Sequence, residues 1–222
     1  MAGLFTNCTQ ISSDPLNKPA VKVYNADASK SLRRRAPKRG TPFCRGRKAD
    51  SMEELTPQSC LETLLNAYSH QYDITRGVTA EGCSFPAMAH FFLRDEHYLV
   101  RRDKQFYATE QHDYTYFYTA DRLDAGEARA LADLTLKTGL SQIKPHKEHM
   151  SSYVTLVILA GTIDPEAKKL LKRTRFHKNF RLSLHGWMEY HIAAMECSTR
   201  TFFSNPAGRG ARKTLEANFA PK

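Results

Sequence analysis

A chain of 222 residues with 33 Lys and Arg against 23 Asp and Glu carries a formal charge of +10 and has room for one domain with a tail, or for two very small domains. Hydrophobic residues make up 41%, below the roughly 45–50% of an ordinary globular domain, and mean hydropathy is −0.54, so one core plus a polar segment is expected. No run of 18 apolar residues occurs, which excludes a membrane-spanning helix.

The polar segment comes first. Residues 1–50 carry +8, residues 51–150 carry −5 and residues 151–222 carry +7. The first fifty contain Ser12-Ser13-Asp14-Pro15, the run Arg33-Arg34-Arg35-Ala36-Pro37-Lys38-Arg39 and Arg45-Gly46-Arg47-Lys48, with sparse apolar residues in no period. Such a segment cannot bury enough surface to offset its ordering entropy, so a disordered basic arm is expected over 1–50. Ala20–Tyr24 alternates and is the one stretch suited to pairing on a sheet edge. Met1–Phe5 lacks the apolar stretch of a secretory signal, and Gly3 is one position too late for myristoylation. The five cysteines, Cys8, Cys44, Cys60, Cys83 and Cys197, form no CxxC pair, which points to a reducing, cytoplasmic setting. Cys60 and Cys197 sit in apolar patterns and read as small buried hydrophobes.

A single domain is expected over 56–218. Thr56-Pro57 opens a helix over 57–71, with Thr56 as cap and Pro57 where a missing N–H costs nothing. Leu61, Leu64, Leu65 and Tyr68 follow at helical spacing. Gly77 and Gly82 mark a loop. Short aromatic segments at 89–93, 97–100, 105–108 and 114–119, separated by Arg94-Asp95-Glu96 and Arg102-Asp103-Lys104 as turns, read as an antiparallel meander. Asp124 caps the next helix, Glu127 returns the bond, and Gly139 ends it. Tyr153–Ala160 is nearly continuous apolar and reads as a central strand covered on both faces. Asp164-Pro165-Glu166 opens a helix that places Ala167, Leu170 and Leu171 on one face and cations on the other. Residues 179–204 predict two or three strands with a bend at Gly186, and a short helix follows over 211–218. The fold class is α+β, a mixed, mostly antiparallel sheet with helices packed on it.

The densest charge runs from Lys168 to Arg181. Lys168, Lys169, Lys172, Arg173, Arg175, Lys178 and Arg181 fall there without an acid, interleaved with Phe176, His177 and Phe180. Guanidinium and ammonium groups neutralise phosphates and aromatic rings stack on unpaired bases, so DNA or RNA is the partner class this stretch suits. Arg33, Arg34 and Arg35 of the arm would add contacts to the backbone of the same ligand. His146-Lys147-Glu148-His149 is the second constellation. His146, Glu148 and His149 on one turn could converge on a divalent metal, the one cofactor this chain suggests, and could serve a hydrolase. Their spacing matches no established zinc signature. No catalytic motif is recognisable. A protein-interaction adaptor, pairing through Ala20–Tyr24, is the third reading, and no membrane partner is expected.

The order helix, meander, helix, strand resembles the restriction-endonuclease-like core. That family needs a carboxylate on one meander strand and an acid-x-Lys on the next. Asp113-Tyr114-Thr115 has no lysine at that place and Glu110-Gln111-His112 is a poor substitute, so an active nuclease of that type is not expected. Pro145–Ser152, Arg175-Phe176-His177-Lys178 and His185-Gly186-Trp187 together resemble an uncharacterised conserved domain of Firmicute-type bacteria. That resemblance covers about residues 57–218, implies a bacterial cytoplasmic protein and carries no activity.

Overall fold

The computed structural model describes residues 55–98 and 105–220. The arm of residues 1–50, with Arg33, Arg34 and Arg35, and the Ala20–Tyr24 segment lie outside the described residues. Among the described residues no helix is long and apolar enough to cross a membrane.

Thr56 accepts from the Ser59 amide at 3.2 Å and starts α1 (Pro57–Tyr68), whose Leu61, Leu64 and Leu65 are buried. Then comes a meander of β1 (Asp73–Ala80), β2 (Cys83–Tyr98) and β3 (Gln105–Leu123). The two-residue turn Glu81-Gly82, both at positive φ, closes the first hairpin, and Gly77 lies inside β1 rather than in a loop. One predicted turn is absent, and the other, Arg102-Asp103-Lys104, lies outside the described residues. Arg94-Asp95-Glu96 does not turn: it pairs across to Glu110, Thr109 and Ala108, and Arg94 reaches the Glu110 carboxylate at 2.5 Å. An opposite-charge pair facing across antiparallel strands stabilises the ladder where the composition alone suggested a turn. The segments 105–108 and 114–119 belong to one strand.

Asp124 accepts from the Glu127 amide at 2.8 Å to start α2 (Ala125–Gln142). Glu127 does not return the bond. Its carboxylate accepts from the Tyr118 hydroxyl at 2.6 Å. Gly139 does not end the helix either. It is buried against β4 (His149–Ile163), and a Cβ there would lie 2.4 Å from Val154 Cγ1. The glycine marks where α2 and the sheet approach too closely for a side chain. Next, α3 (Pro165–Arg173) buries Ala167 and Leu171 as the pattern predicts, but Asp164 makes no capping bond. It accepts from Arg122 through both oxygens, at 3.2 and 3.1 Å. The stretch that follows holds three strands, β5 (His177–Asn179), β6 (Trp187–Glu196) and β7 (Thr201–Ser204), and the chain closes with α4 (Arg209–Phe219).

The sheet runs β1-β2-β3-β4-β6-β5, with β7 also on β6. Its two central pairings, β3 with β4 and β4 with β6, are parallel, and the remaining pairings are antiparallel. Helices cover both faces. Beneath α2 and α3 lie Tyr116, Leu156, Ile158, Tyr190 and Ile192. Beneath α1 and α4 lie Phe117, Val157, Leu159 and Met195. Side chains alternate along β4 between these two clusters, which is why its sequence reads as a continuous apolar run. Cys60 and Cys197 are buried free thiols, their sulfurs 3.9 Å apart.

Candidate nucleic-acid interface

α3 is short, and its cations do not share one role. Lys168 turns back to the sheet. Its Nζ lies 3.0 Å from both carboxylate oxygens of Glu196, which also accepts from the Ile163 amide at 3.0 Å and from the Thr199 hydroxyl. Burial opposes ionisation of Glu196, but the Thr199 hydroxyl, the Ile163 amide and Lys168 outweigh it and hold the carboxyl below its ordinary range. Lys172 places its Nζ 5.4 Å over the Phe203 ring, and Lys178 lies 5.6 Å over Phe180. Both are cation–π distances.

Lys169 and Arg173 face a different way. With Arg129 of α2 they line an open groove of about 600 Å³, where Glu166 is the one acid and Ala125 and Gly126 bring in the positive end of α2. Arg129, Lys169, Arg173, Arg175, Lys178 and Arg181 make no ion pair with another described residue. After α3 the chain is extended. Phe176 and Phe180 pack against the core rather than standing as platforms. Tyr190 N donates to Phe176 O at 3.0 Å, which carries the β5–β6 pairing one residue past His177. By alternation, exposed Arg175 falls on the opposite face from Phe176, together with His177. Beyond β5, Arg181, Leu182 and Ser183 all adopt positive φ, and Leu182 and Leu184 are exposed. Gly186, at φ +74, brings the loop back onto β4, where a Cβ would lie 2.3 Å from Met150 O.

The His146, Glu148, His149 trio divides among three sets of partners, and His149 is buried. His149 Nδ1 donates to the His185 carbonyl at 2.7 Å, which leaves Nε2 to accept from the Ser152 hydroxyl at 2.7 Å. His146 Nδ1 accepts from the Glu148 amide at 3.2 Å and its Nε2 faces Glu110 at 2.9 Å. The Glu148 carboxylate lies 3.0 Å from Arg94. Among the described residues no group of three or more His, Cys, Asp and Glu is placed to hold a metal ion.

The sheet adds two histidines that the sequence reading passed over. His90 Nε2 is 3.2 Å from His112 Nδ1, the two rings are stacked, and both stack with Tyr114. Burial lowers the His112 pKa below its ordinary 6.5, His90, His149 and His146 lower it further, and Glu110 opposes. The folded state therefore binds fewer protons at His112 than the unfolded chain does. Stability should fall as pH drops below 6.5, and the loss ends below the folded pKa. Urea midpoints at pH 7 and pH 5 measure this. His112→Gln is expected to flatten the decline, and an unchanged slope in that variant would refute the assignment.

On the other face of β3, Asp113 accepts from Tyr72, Thr115 and Thr155 hydroxyls at 3.0, 3.2 and 3.3 Å. Burial pushes its carboxyl up despite these bonds and nearby His191. Its oxygens are thus taken up by hydroxyl donors.

The sequence model of one family, described as Domain of unknown function (DUF8052), matches residues 56–217. No curated protein and no solved structure matches the chain.

Proposed function

The chain belongs to the DUF8052 family, whose description names no activity, and from the geometry we propose that the domain binds nucleic acid, contacting phosphates through the cations of α3 and the β5 edge. The observation that carries this reading is the run Lys169, Arg173, Arg175, Lys178 and Arg181, joined by Arg129, none of which has a carboxylate partner among the described residues. Arg129, Lys169 and Arg173 line one groove, where like charges repel one another, and a polyanion relieves that repulsion while releasing its own counterions. Elsewhere Arg76 pairs with Glu62, Arg122 with Asp164, Lys137 with Glu81, Lys168 with Glu196 and Arg212 with Glu216, while Lys144, Lys147, Arg200, Arg209 and Lys213 are scattered cations without an ion pair to another described residue. The arm's Arg33, Arg34 and Arg35 would add phosphate contacts to the same ligand. His146, Glu148 and His149 already spend their polar atoms within the protein, so a metal-dependent hydrolase draws no support from this geometry.

The test is oligonucleotide binding by the full-length protein at low salt, followed by fluorescence anisotropy. Each phosphate contact adds about threefold to the affinity lost over a fourfold rise in salt, and three reversed charges replace three such attractions with repulsions. The variant Lys169→Glu/Arg173→Glu/Arg175→Glu is therefore expected to bind at least about tenfold more weakly. A control with the same charge change in the loop between α2 and β4 and on α4, Lys144→Glu/Lys147→Glu/Lys213→Glu, should lose much less. Equal losses would reduce the effect to net charge and remove the site.

A further inference from the structure

Trp187 begins β6 beside β5 and opposite the start of β4. Four rings there form a continuous row across three strands. His177 stacks on Trp187 at 5.7 Å and 29°. Trp187 meets Tyr153 edge-on at 5.4 Å. Tyr153 stacks on His191 at 5.1 Å and 29°. All four lie on one face of the sheet, since 177, 187, 189 and 191 alternate with the core-facing Met188, Tyr190 and Ile192. None is fully buried, and His177, at the outer edge, is exposed. The Leu215 and Phe219 side chains of α4 pack lower on the same face, against the cluster holding Ala193 and Met195.

We propose that this row is a base-stacking subsite for single-stranded nucleic acid, with Arg175, next to His177 in the chain, holding a phosphate of the same strand. The inference rests on the phosphate-binding reading and narrows it to one ligand class. Two features favour it. By alternation, Arg175 lies on the same edge and face as His177, so a cation and a ring are offered side by side, as a nucleotide offers a phosphate and a base. His177 and Trp187 are also already stacked, and His177, the outer member of that pair, has no protein ring beyond it among the described residues. A base added there continues the stack. Duplex bases cannot do this, because their faces are already covered by their neighbours. Glu189 and Asn179, on the same face, supply polar groups at the margin, with Glu189 3.4 Å from His191 and Asn179 3.1 Å from His177.

The chain contains one tryptophan, so its emission reports on this subsite without a label. The experiment titrates the full-length protein with a single-stranded oligonucleotide and with a duplex of equal length, reading both Trp187 emission and the anisotropy of labelled nucleic acid. The single strand is expected to quench Trp187 and to bind more tightly than the duplex. Removing a stacking partner typically lowers affinity by about five- to 150-fold per base, so Trp187→Ala should fall in that range for the single strand while its salt dependence stays as in the wild type. Trp187→Phe should recover most of the loss. His177→Ala, at an exposed position, tests the same point with the tryptophan intact, and should weaken single-strand binding and its quenching should Trp187→Ala fail to fold. Salt-sensitive binding with no quenching and equal affinity for both ligands would overturn the subsite and leave phosphate binding standing. No binding of either ligand at low salt would overturn both.

Discussion

Asn205→Ala is expected to destabilise the domain by about 4 kcal/mol, the sum of several buried backbone groups each left unsatisfied at roughly 1–3 kcal/mol with partial relaxation. Asn205 is 1% exposed and fills all four hydrogen-bonding positions of its amide. Its Nδ2 donates to Thr174 O at 3.1 Å and Tyr190 O at 2.9 Å, and its Oδ1 accepts from Ile192 N at 3.0 Å and Gly208 N at 2.7 Å. One side chain thus joins the end of α3, the middle of β6 and the start of α4. Thr174 precedes Arg175 and His177, so this knot also sets where the cationic edge leaves the helix. Asn205→Asp should not rescue the loss, because a carboxylate oxygen would then face two carbonyls. A shift in urea midpoint with an unchanged m value is the readout, and a loss under about 1 kcal/mol, the worth of one ordinary bond, would contradict this role.

The second large effect separates two adjacent lysines. Lys168→Met should cost about 2 kcal/mol, below the 3–5 kcal/mol for breaking a fully buried pair because Lys168 keeps some solvent contact. The loss comes from Glu196, left charged in a buried site. Adding Glu196→Gln should restore much of it, since the amide oxygen still accepts from the Ile163 amide and the charge is gone. The pH profile gives an independent check. The carboxyl of Glu196 is held below its ordinary value, so its contribution is complete above that value and is lost as pH falls through the folded pKa. Lys168→Met should flatten that acid limb. Meanwhile the folded Lys168→Met protein should bind oligonucleotide nearly as well as wild type. A marked loss of affinity there, without loss of stability, would move Lys168 into the interface.

That contrast shows what the sequence could convey and what it could not. The helix itself was legible, since Ala167, Leu170 and Leu171 repeat at its period and Pro165 marks its start. Which lysine meets an acid was not, because Glu196 lies 28 residues away on another strand and neighbouring helix positions point about 100° apart. The continuous apolar run of β4 and the Thr56-Pro57 start were equally plain, each carrying its own local signal. Arg94-Asp95-Glu96 misled because turn-like composition and a charged cross-strand pair look alike until the register is known. Gly139 reads as a helix stop by composition, and only the approach of Val154 shows its other use. The same limit governs the sites. His90 with His112, and His177 with Trp187 and Tyr153, become neighbours only through strand register, whereas the charge from Lys168 to Arg181 is visible in one continuous stretch.

The salt dependence of single-strand binding by the full-length protein tests the phosphate-binding proposal most directly. Log affinity should fall linearly with log salt, by about 0.7 for each phosphate neutralised, and the slope should be shallower by about two in Lys169→Glu/Arg173→Glu/Arg175→Glu. A wild-type slope near zero, or the same slope in both proteins, would contradict an interface built on these cations.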